Sequence, residues 1–256
     1  MTSADLLIEA RNAVLWLTIN REAHRNAINQ QVIDGLSQGL DLAAQDREVR
    51  AVVVTGAGDK AFCAGGDLQS ANPFQIDHSQ PYAGAAQLFR KAKQLTVPMI
   101  ARVNGVCLAG GMGLLAMCDL AVAARTARFG LPEVKVGVFP AQVLSVLQNL
   151  VPRRALAEMC LLGEPISAEI ALAIGLVNAV ADDLDGELDQ MLARLRQRSP
   201  AAIRRGLYTM KKMEDMAFEQ AVSFAESQIP LFAMTDDAKE GQAAFREKRP
   251  PVWTGK

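Results

Sequence analysis

The chain has few cysteines and histidines, and their spacing excludes several kinds of chemistry. Its four cysteines show no CxxC spacing, and the N-terminus has no basic-then-apolar segment, so we expect a reducing, cytoplasmic location. The two histidines, His24 and His78, are far apart in the sequence and lack the spacing of metal ligands. Neither zinc chemistry nor a Ser-His-Asp triad is indicated, and we predict no metal site.

The chain also lacks an excess of positive or negative charge. Lysine and arginine number 27 against 28 aspartates and glutamates, for a net charge of −1, which argues against a polybasic or RNA-binding protein. No apolar run is long enough to span a bilayer, so we predict no membrane partner. Half of the 256 residues are hydrophobic, which is enough to bury a large core as one domain with an appendage.

Apolar periodicity predicts alternating strands and helices. Residues 6–9 and 13–19 are typical of a hairpin, and residues 29–44 carry apolar side chains at helical spacing. Three further strand-like runs are separated by stretches that supply helices: residues 51–55, 99–103 and 120–124. This alternation favours an α/β core with partly parallel strands.

The C-terminal part of the sequence is typical of helices alone. Ser199 is predicted to cap a helix that has Pro200 at its first position, and Thr235 is predicted to cap another. We therefore divide the chain into a core, residues 1–198, and a helical C-terminal region, residues 199–256.

Two glycine-rich strings each follow a predicted strand. They are AFCAGGDL at residues 61–68 and NGVCLAGGMGL at residues 104–114, and the second opens a buried helix. Because glycine lacks a Cβ, backbone N–H groups there can approach a ligand closely. Two such donors, one at the positive end of a helix, would form an oxyanion hole for a thioester carbonyl that becomes an enolate. Taken singly, each string is weak evidence for a site, because glycine marks loops far more often than sites.

A third segment, FGLPEVKVGVFP at residues 129–140, places Glu133 among apolar neighbours. Apolar surroundings disfavour an ionised carboxylate unless it is paired. This penalty would raise the pKa of Glu133 toward a range useful for proton transfer. The alternative is a glutamate on a surface turn that pairs with Lys135. The sequence alone leaves both interpretations open.

Together the three segments resemble those of the crotonase superfamily, the enoyl-CoA hydratases and isomerases, and the resemblance covers almost the whole chain. It implies a spiral of ββα units and a C-terminal helical region that forms trimers or dimers of trimers. It also implies that the N–H groups of Gly66 and Gly110 form the oxyanion hole and that Glu133 is the acid/base. Coenzyme A would enter only as part of an acyl-CoA substrate, with no permanently bound cofactor.

The chain departs from the hydratases of that family at Gly113, where they carry a second glutamate that helps to hold the attacking water. One carboxylate can move a proton between carbons and convert a β,γ-enoyl thioester to the α,β form, whereas water addition is harder. We therefore predict double-bond isomerisation, and we expect the glycine to leave space that a substrate could use. The alternatives are hydration of a branched or glutaconyl-type thioester and, in another class, a non-catalytic acyl-CoA binding protein.

The resemblance also implies residues that contact CoA. They are Arg25 and Ala27 in the string HRNAI, Ala64 before the first glycine pair, and Phe245 and Lys248, which would reach the CoA of a neighbouring subunit. Arg25 could pair with a phosphate or lie in a surface loop, and the charged run around Lys248 could be a solvated face.

Two further expectations concern the surroundings of the site. Asp67 is expected to act as an anion at a helix N-terminus and not as a catalyst. Residues 69–82, a loop-like segment with two prolines, are expected to shape part of the acyl pocket.

Overall fold

The computed structural model describes residues 5–67, 79 and 83–256. Within these ranges the chain forms ten strands and ten α-helices, with two short 3-10 helices at Glu22–His24 and Pro132–Val136. The strands are β1 (Leu6–Arg11), β2 (Val14–Ile19), β3 (Ala51–Gly56), β4 (Ala61–Cys63), β5 (Met99–Val103), β6 (Val106–Leu108), β7 (Leu120–Ala124), β8 (Arg128–Gly130), β9 (Ile166–Ser167) and β10 (Ala179–Ala181). The helices are α1 (Gln30–Gln45), α2 (Gly84–Gln94), α3 (Gly110–Ala116), α4 (Ala141–Leu147), α5 (Arg153–Leu162), α6 (Ala168–Ala173), α7 (Leu184–Arg196), α8 (Pro200–Met213), α9 (Phe218–Ala233) and α10 (Asp236–Glu247).

The strands form two sheets. The larger has the order β1-β2-β3-β5-β7-β10 and is parallel except for the β1–β2 hairpin. The smaller has the order β4-β6-β8-β9, and only its β8–β9 pair is antiparallel. The predicted hairpin and the partly parallel α/β core are confirmed.

Three consecutive segments repeat one ββα pattern. In β3-β4-α2, β5-β6-α3 and β7-β8-α4, the first strand joins the larger sheet and the second joins the smaller one. The predicted spiral of ββα units is therefore confirmed. Because β4, β6 and β8 are parallel neighbours in the smaller sheet, the segments that follow them begin at one edge of that sheet.

The core lies on both faces of the larger sheet. Side chains alternate between the two faces of a strand, so in β3 Val52 and Val54 join the main core while Val53 faces a smaller core beneath α7. All six residues of β3 are buried. This two-sided burial explains why the strand is a continuous apolar run, as is typical of parallel sheets covered on both faces.

The predicted helix caps are confirmed in the C-terminal region. The hydroxyl of Ser199 accepts the N–H of Ala202 at 3.0 Å, and that of Thr235 accepts the N–H of Ala238 at 3.1 Å. Asp237, in the first turn of α10, is buried and fixes the C-terminal tail. Its carboxylate accepts hydrogen bonds from the hydroxyl of Ser199 and from the backbone N–H groups of residues 201, 254 and 255.

The C-terminal helices are attached to the core by a partly buried lysine. Lys211 in α8 forms an ion pair with Asp119, Nζ to Oδ1 2.9 Å, and its ammonium also donates to the carbonyls of Ala92 and Leu95 at the end of α2. The boundary between residues 198 and 199 stays a prediction. Among the described residues, no helix combines the length and the apolar character needed to cross a membrane.

Candidate active site

The two glycine-rich loops meet, as predicted. The amide nitrogen of Gly66 lies 3.6 Å from the position that a Cβ on Gly110 would occupy. Gly66 forms an isolated parallel bridge with Ile28, in which Ile28 donates to the carbonyl of Gly65 and accepts from the N–H of Asp67. Gly110 is the first residue of α3. Neither N–H group donates to another described residue, so two free donors lie close together, one of them at a helix N-terminus.

Glycine is required where these loops approach each other. Gly65 has a φ of +106°, and a Cβ there would stand 2.7 Å from that of Ala109. A Cβ on Gly111 would stand 2.4 Å from the carbonyl oxygen of Cys63. These glycines are therefore not interchangeable turn residues, because they allow two backbone segments to come into contact.

The segment that carries Arg25 and Ala27 is fixed to the first glycine loop. The N–H of Ala64 donates to the carbonyl of Arg25 at 3.1 Å, and the N–H of Ile28 donates to the carbonyl of Gly65 at 2.8 Å. The structure thus brings together the predicted CoA-contacting residues Arg25, Ala27 and Ala64. The Arg25 side chain is exposed, and its contact with a phosphate stays a prediction.

Two residues that the sequence analysis missed hold this segment in place. Asn26 is fully buried at a φ of +56°, which asparagine tolerates better than most residues, and its amide donates to the carbonyls of Ala57 and Ala61 at 3.0 and 2.7 Å. Arg21 donates to the carbonyl of Ala27 at 2.6 Å and pairs with Asp67 at 2.8 Å. Asp67 is therefore a partner of Arg21, and a helix after it would lie outside the described residues.

Glu133 lies in the 3-10 helix Pro132–Val136, immediately after β8. Its carboxyl oxygen Oε2 is buried and has no hydrogen-bond partner in the described part of the chain. Burial raises the pKa of Glu133 above its usual value, and a hydrogen bond with its own backbone N–H opposes this only in part. Lys135 pairs with Glu164 instead, at 2.8 Å, so the alternative of a surface Glu133–Lys135 pair is wrong.

One cavity of about 360 Å³ joins these groups. The loop of Gly110 is linked to the segment of Glu133 because the N–H of Ala109 donates to the carbonyl of Gly130 at 2.9 Å. Glu133 is the one acidic side chain, and Lys135 the one basic side chain, among the described residues that line the cavity. These are Ala64, Gly66, Ala109, Gly110, Pro132, Glu133, Lys135, Val136, Val138, Phe139, Pro140, Ala141, Gln142 and Val143.

Gly113 is buried in α3, and the space beside it is occupied. A Cβ at this position would stand 2.6 Å from Cζ of Phe89, and 3.4 Å from Cγ2 of Val143. The expectation that the glycine leaves room for substrate is therefore wrong, because the ring of Phe89 fills that room. Sequence analysis missed Phe89, which comes from a different helix, α2.

The predicted C-terminal CoA contacts lie away from the cavity of their own chain. Phe245 is 86% exposed at the end of α10, and Lys248 ends that helix with a φ of +55°. Neither lines the cavity. Arg249 is held by Glu240 in a two-pronged ion pair at 2.5 and 2.9 Å, so this part of the charged run is not simply solvated. Contact with a neighbour's CoA stays a prediction for Phe245 and Lys248.

Within residues 5–67, 79 and 83–256, no group of three or more His, Cys, Asp or Glu side chains could hold a metal ion. All four cysteines are buried thiols, and burial raises the pKa of Cys63 to about 12, so this thiol beside the glycine loop stays protonated at neutral pH. The predicted acyl-pocket segment, residues 69–82, lies outside the described residues except for Ser79.

The sequence and the ββα spiral that carries this site are similar to those of known proteins. The family model for enoyl-CoA hydratase/isomerase matches residues 9–256. The 2,3-dehydroadipyl-CoA hydratase of Escherichia coli strain K12 is 32% identical, over 99% of this chain and 100% of that protein. The (E)-benzylidenesuccinyl-CoA hydratase of Thauera aromatica is 31% identical, over 97% of this chain and 98% of that protein.

Solved structures agree. An enoyl-CoA hydratase from Mycobacterium smegmatis superposes with a TM-score of 0.91 at 35% identity, covering 97% of this chain and 98% of the other. The fold and site thus define a member of the crotonase superfamily. The chain belongs to its enoyl-CoA hydratase/isomerase family, and it is an enzyme that acts on acyl-CoA thioesters.

Proposed function

We propose that this enzyme moves the carbon–carbon double bond of an enoyl-CoA thioester from the β,γ to the α,β position, with Glu133 as its only acid/base. One observation carries the proposal: Glu133 is the only carboxylate among the described residues that line the cavity. The residue at the second carboxylate position is Gly113, which has no side chain and is packed against Phe89. A reaction that needs one proton carrier therefore fits this site better than one that needs two groups to position water.

In the proposed reaction, the thioester carbonyl oxygen accepts hydrogen bonds from the N–H groups of Gly66 and Gly110. These donors stabilise the negative charge that develops on oxygen as an enolate forms, and the loss of one such donor raises a barrier by ~3–4 kcal/mol. The positive end of the α3 dipole adds to this stabilisation at Gly110. Both amides are fixed by backbone contacts before substrate binds, so little reorganisation is needed.

Glu133 completes the reaction by moving one proton. Its carboxylate takes the proton from the α carbon of the β,γ-enoyl thioester, and the electrons of that C–H bond pass into the dienolate. The protonated carboxyl then returns a proton to the γ carbon, and the electron pair shifts to form the α,β double bond. A buried carboxylate without a countercharge is a stronger base than an exposed one, and the raised pKa of Glu133 is in accord with this role.

A second candidate is hydration of an acyl-CoA thioester whose acyl chain carries a free carboxylate. Lys135 favours it, because this residue lines the cavity and could attract an anionic group on the acyl chain. The two relatives described above are named for 2,3-dehydroadipyl-CoA and benzylidenesuccinyl-CoA, whose acyl groups contain a second carboxylate. Against this candidate, the ammonium of Lys135 is already paired with Glu164.

Product analysis with the purified enzyme tests the proposal. Incubation with 3-butenoyl-CoA should give crotonyl-CoA with little 3-hydroxybutyryl-CoA, and glutaconyl-CoA should be hydrated no faster than crotonyl-CoA. If 3-hydroxyacyl-CoA is the main product from each substrate, the proposal is wrong. If hydration is rapid with glutaconyl-CoA alone and falls in Lys135→Met, the second candidate is correct.

We further propose that the enzyme forms a trimer or a dimer of trimers through residues 199–256, in the cytoplasm. The apolar stripe on α9 supports an assembly, because Phe218, Val222 and Ile229 are exposed in the single chain. Light scattering during size-exclusion chromatography will report the oligomer, and a monomeric mass at micromolar concentration would contradict this part of the proposal.

A further inference from the structure

The packing between α2 and α3 places an aromatic ring at the position of a missing side chain. Phe89 is 9% exposed and lies on the buried face of α2 with Leu88 and Ala92. Its Cζ atom is 2.6 Å from the place of a Cβ on Gly113, and its Cε1 atom is 3.4 Å from it. Phe89 and Gly113 are thus complementary in volume, since a side chain at position 113 would need the space of the ring.

This contact borders the reaction cavity. Gly110 and Gly113 are three residues apart in α3 and so lie on the same face of the helix, and Gly110 lines the cavity. Val143, which also lines the cavity, is 3.4 Å from the Cβ position of Gly113. The Cβ position of Gly113 is therefore enclosed by Val143, which lines the cavity, and by Phe89 from α2, two apolar side chains that offer no hydrogen bond to water.

Helix α2 is held at its C-terminal end, so the ring cannot easily withdraw. Lys211 donates to the carbonyls of Ala92 and Leu95 at 3.1 and 3.0 Å, and Lys93 pairs with Asp215 at 2.5 Å. Both contacts attach α2 to α8 and to the turn that follows it. A shift of the whole helix away from α3 would break these contacts, which leaves rotation of the ring as the main way to make room.

We infer that Phe89 closes position 113 to a second carboxylate: its ring occupies the space that a water-binding side chain there would need, so that the site keeps a single proton carrier. This inference rests on the proposed isomerisation. It predicts that Gly113→Glu alone cannot form a working second carboxylate, whereas the same change together with Phe89→Ala can.

The test compares Gly113→Glu, Phe89→Ala and the double variant Phe89→Ala/Gly113→Glu with the matched control Phe89→Ala/Gly113→Met, which fills similar volume without a carboxylate. Unfolding temperatures and rates of crotonyl-CoA hydration are measured for each variant. Both single variants should unfold at a lower temperature than the parent, because Gly113→Glu crowds the ring of Phe89 and Phe89→Ala leaves a void. Both double variants should unfold at a higher temperature than Gly113→Glu. Only the glutamate double variant should hydrate crotonyl-CoA faster, by ~10-fold or more over its methionine control.

Two results would overturn the inference. If Gly113→Glu keeps the parental unfolding temperature and hydrates crotonyl-CoA as fast as the glutamate double variant, Phe89 does not restrict the space at position 113. If the two double variants hydrate crotonyl-CoA at equal rates, a carboxylate placed in that space does not promote hydration. A smaller pair of changes can be used if these variants fold poorly. Gly113→Ser should lower the unfolding temperature more in the parent than in Phe89→Leu, and equal effects would contradict the claim that Phe89 occupies the space at position 113. The proposed isomerisation itself is judged on the unmutated enzyme, so the two failures are distinguishable.

Discussion

Lys135 forms its ion pair with Glu164, Nζ to Oε1 2.8 Å, and among the described residues no basic side chain pairs with Glu133, two residues earlier. Glu133 and Lys135 lie in the same 3-10 helix but point in different directions. Lys135 packs along Gly163, next to Glu164, while one carboxyl oxygen of Glu133 is buried. An unpaired buried carboxyl costs stability. The structure therefore retains an unfavourable group in the cavity beside the two free amides, as expected for a catalytic base.

Replacement of Glu133 by glutamine should abolish most turnover and leave acyl-CoA binding intact. Glutamine keeps the shape of the side chain but cannot accept the proton, so kcat should fall by ~10²–10⁴-fold. Rates with 3-butenoyl-CoA and calorimetric titration with a saturated acyl-CoA will measure the two effects. Glu48→Gln, an exposed change in the turn after α1, serves as the matched control and should behave like the parent. A Glu133→Gln enzyme with parental kcat would remove Glu133 from the mechanism.

The pH dependence of the rate and of stability should both report Glu133. Because burial raises its pKa, the base is protonated at a higher pH than an ordinary glutamate, and kcat/KM should fall there as the pH is lowered.

The raised pKa of Glu133 also affects stability. Between the usual and the raised pKa, the folded protein binds more protons than the unfolded chain, so this group lowers stability as the pH rises through that interval. Glu133→Gln should therefore unfold at a higher temperature than the parent at neutral pH, with the difference shrinking below the usual pKa of glutamate. An unchanged difference across this range would contradict the raised pKa.

Removal of the N–H group of Gly66 should slow the reaction without removing the cavity. Gly66→Pro eliminates the donor and should lower kcat by ~10²-fold or more. Gly66→Ala is the matched control, because it keeps the donor and its Cβ would meet no atom of the described residues within 4 Å beyond its chain neighbours, so its loss of activity should be smaller. Circular dichroism and oligomer mass must match the parent for both variants. A folded Gly66→Pro enzyme as active as Gly66→Ala would refute the assignment of this donor.

Asp237 should stabilise the C-terminal region in a pH-dependent way. Burial acts to raise its pKa, but hydrogen bonds from Ser199, Thr254, Gly255 and Ala201 outweigh it and hold the pKa below its usual value. The resulting stabilisation is present above the usual aspartate pKa and is lost as the pH falls through the lowered one.

Asp237→Asn should therefore lower the free energy of unfolding by ~2 kcal/mol at neutral pH and by less in acid. The exposed neighbour change Asp236→Asn is the control and should have a small effect, since its carboxylate pairs with Lys239 at 3.4 Å on the exposed surface. Urea unfolding at several pH values will measure both. Equal losses at all pH values would show that the charge of Asp237 is not what stabilises the region.

The long elements of the fold could be predicted from the sequence because their patterns are local. The strands at residues 99–103 and 120–124 coincide with the predicted ones, since their apolar runs are buried on both faces. Strands β4, β6 and β8 have three residues each, too few for a periodic pattern, and their pairing in the smaller sheet is a property of the whole spiral.

The candidate site was predictable in its glycines and its acid, but not in its supports. Glu133 and the two glycine pairs stand in strings with a recognisable composition. Phe89 and Asn26 do not, because each acts through partners distant in the sequence: Phe89 packs on Gly113, and Asn26 binds the carbonyls of residues 57 and 61. For the same reason the sequence could not decide whether Glu133 pairs with Lys135, because the actual partner of Lys135, Glu164, is distant in the sequence.

The ratio of two rates in the unmutated enzyme tests the central claim most directly. Isomerisation of 3-butenoyl-CoA and hydration of crotonyl-CoA are measured with one enzyme preparation at the same pH. If Glu133 is the single acid/base of the site, kcat/KM for isomerisation should exceed that for hydration by ~10-fold or more. Hydration of crotonyl-CoA at a rate equal to or above that of isomerisation would contradict the claim that one carboxylate and an apolar wall at Gly113 select proton transfer.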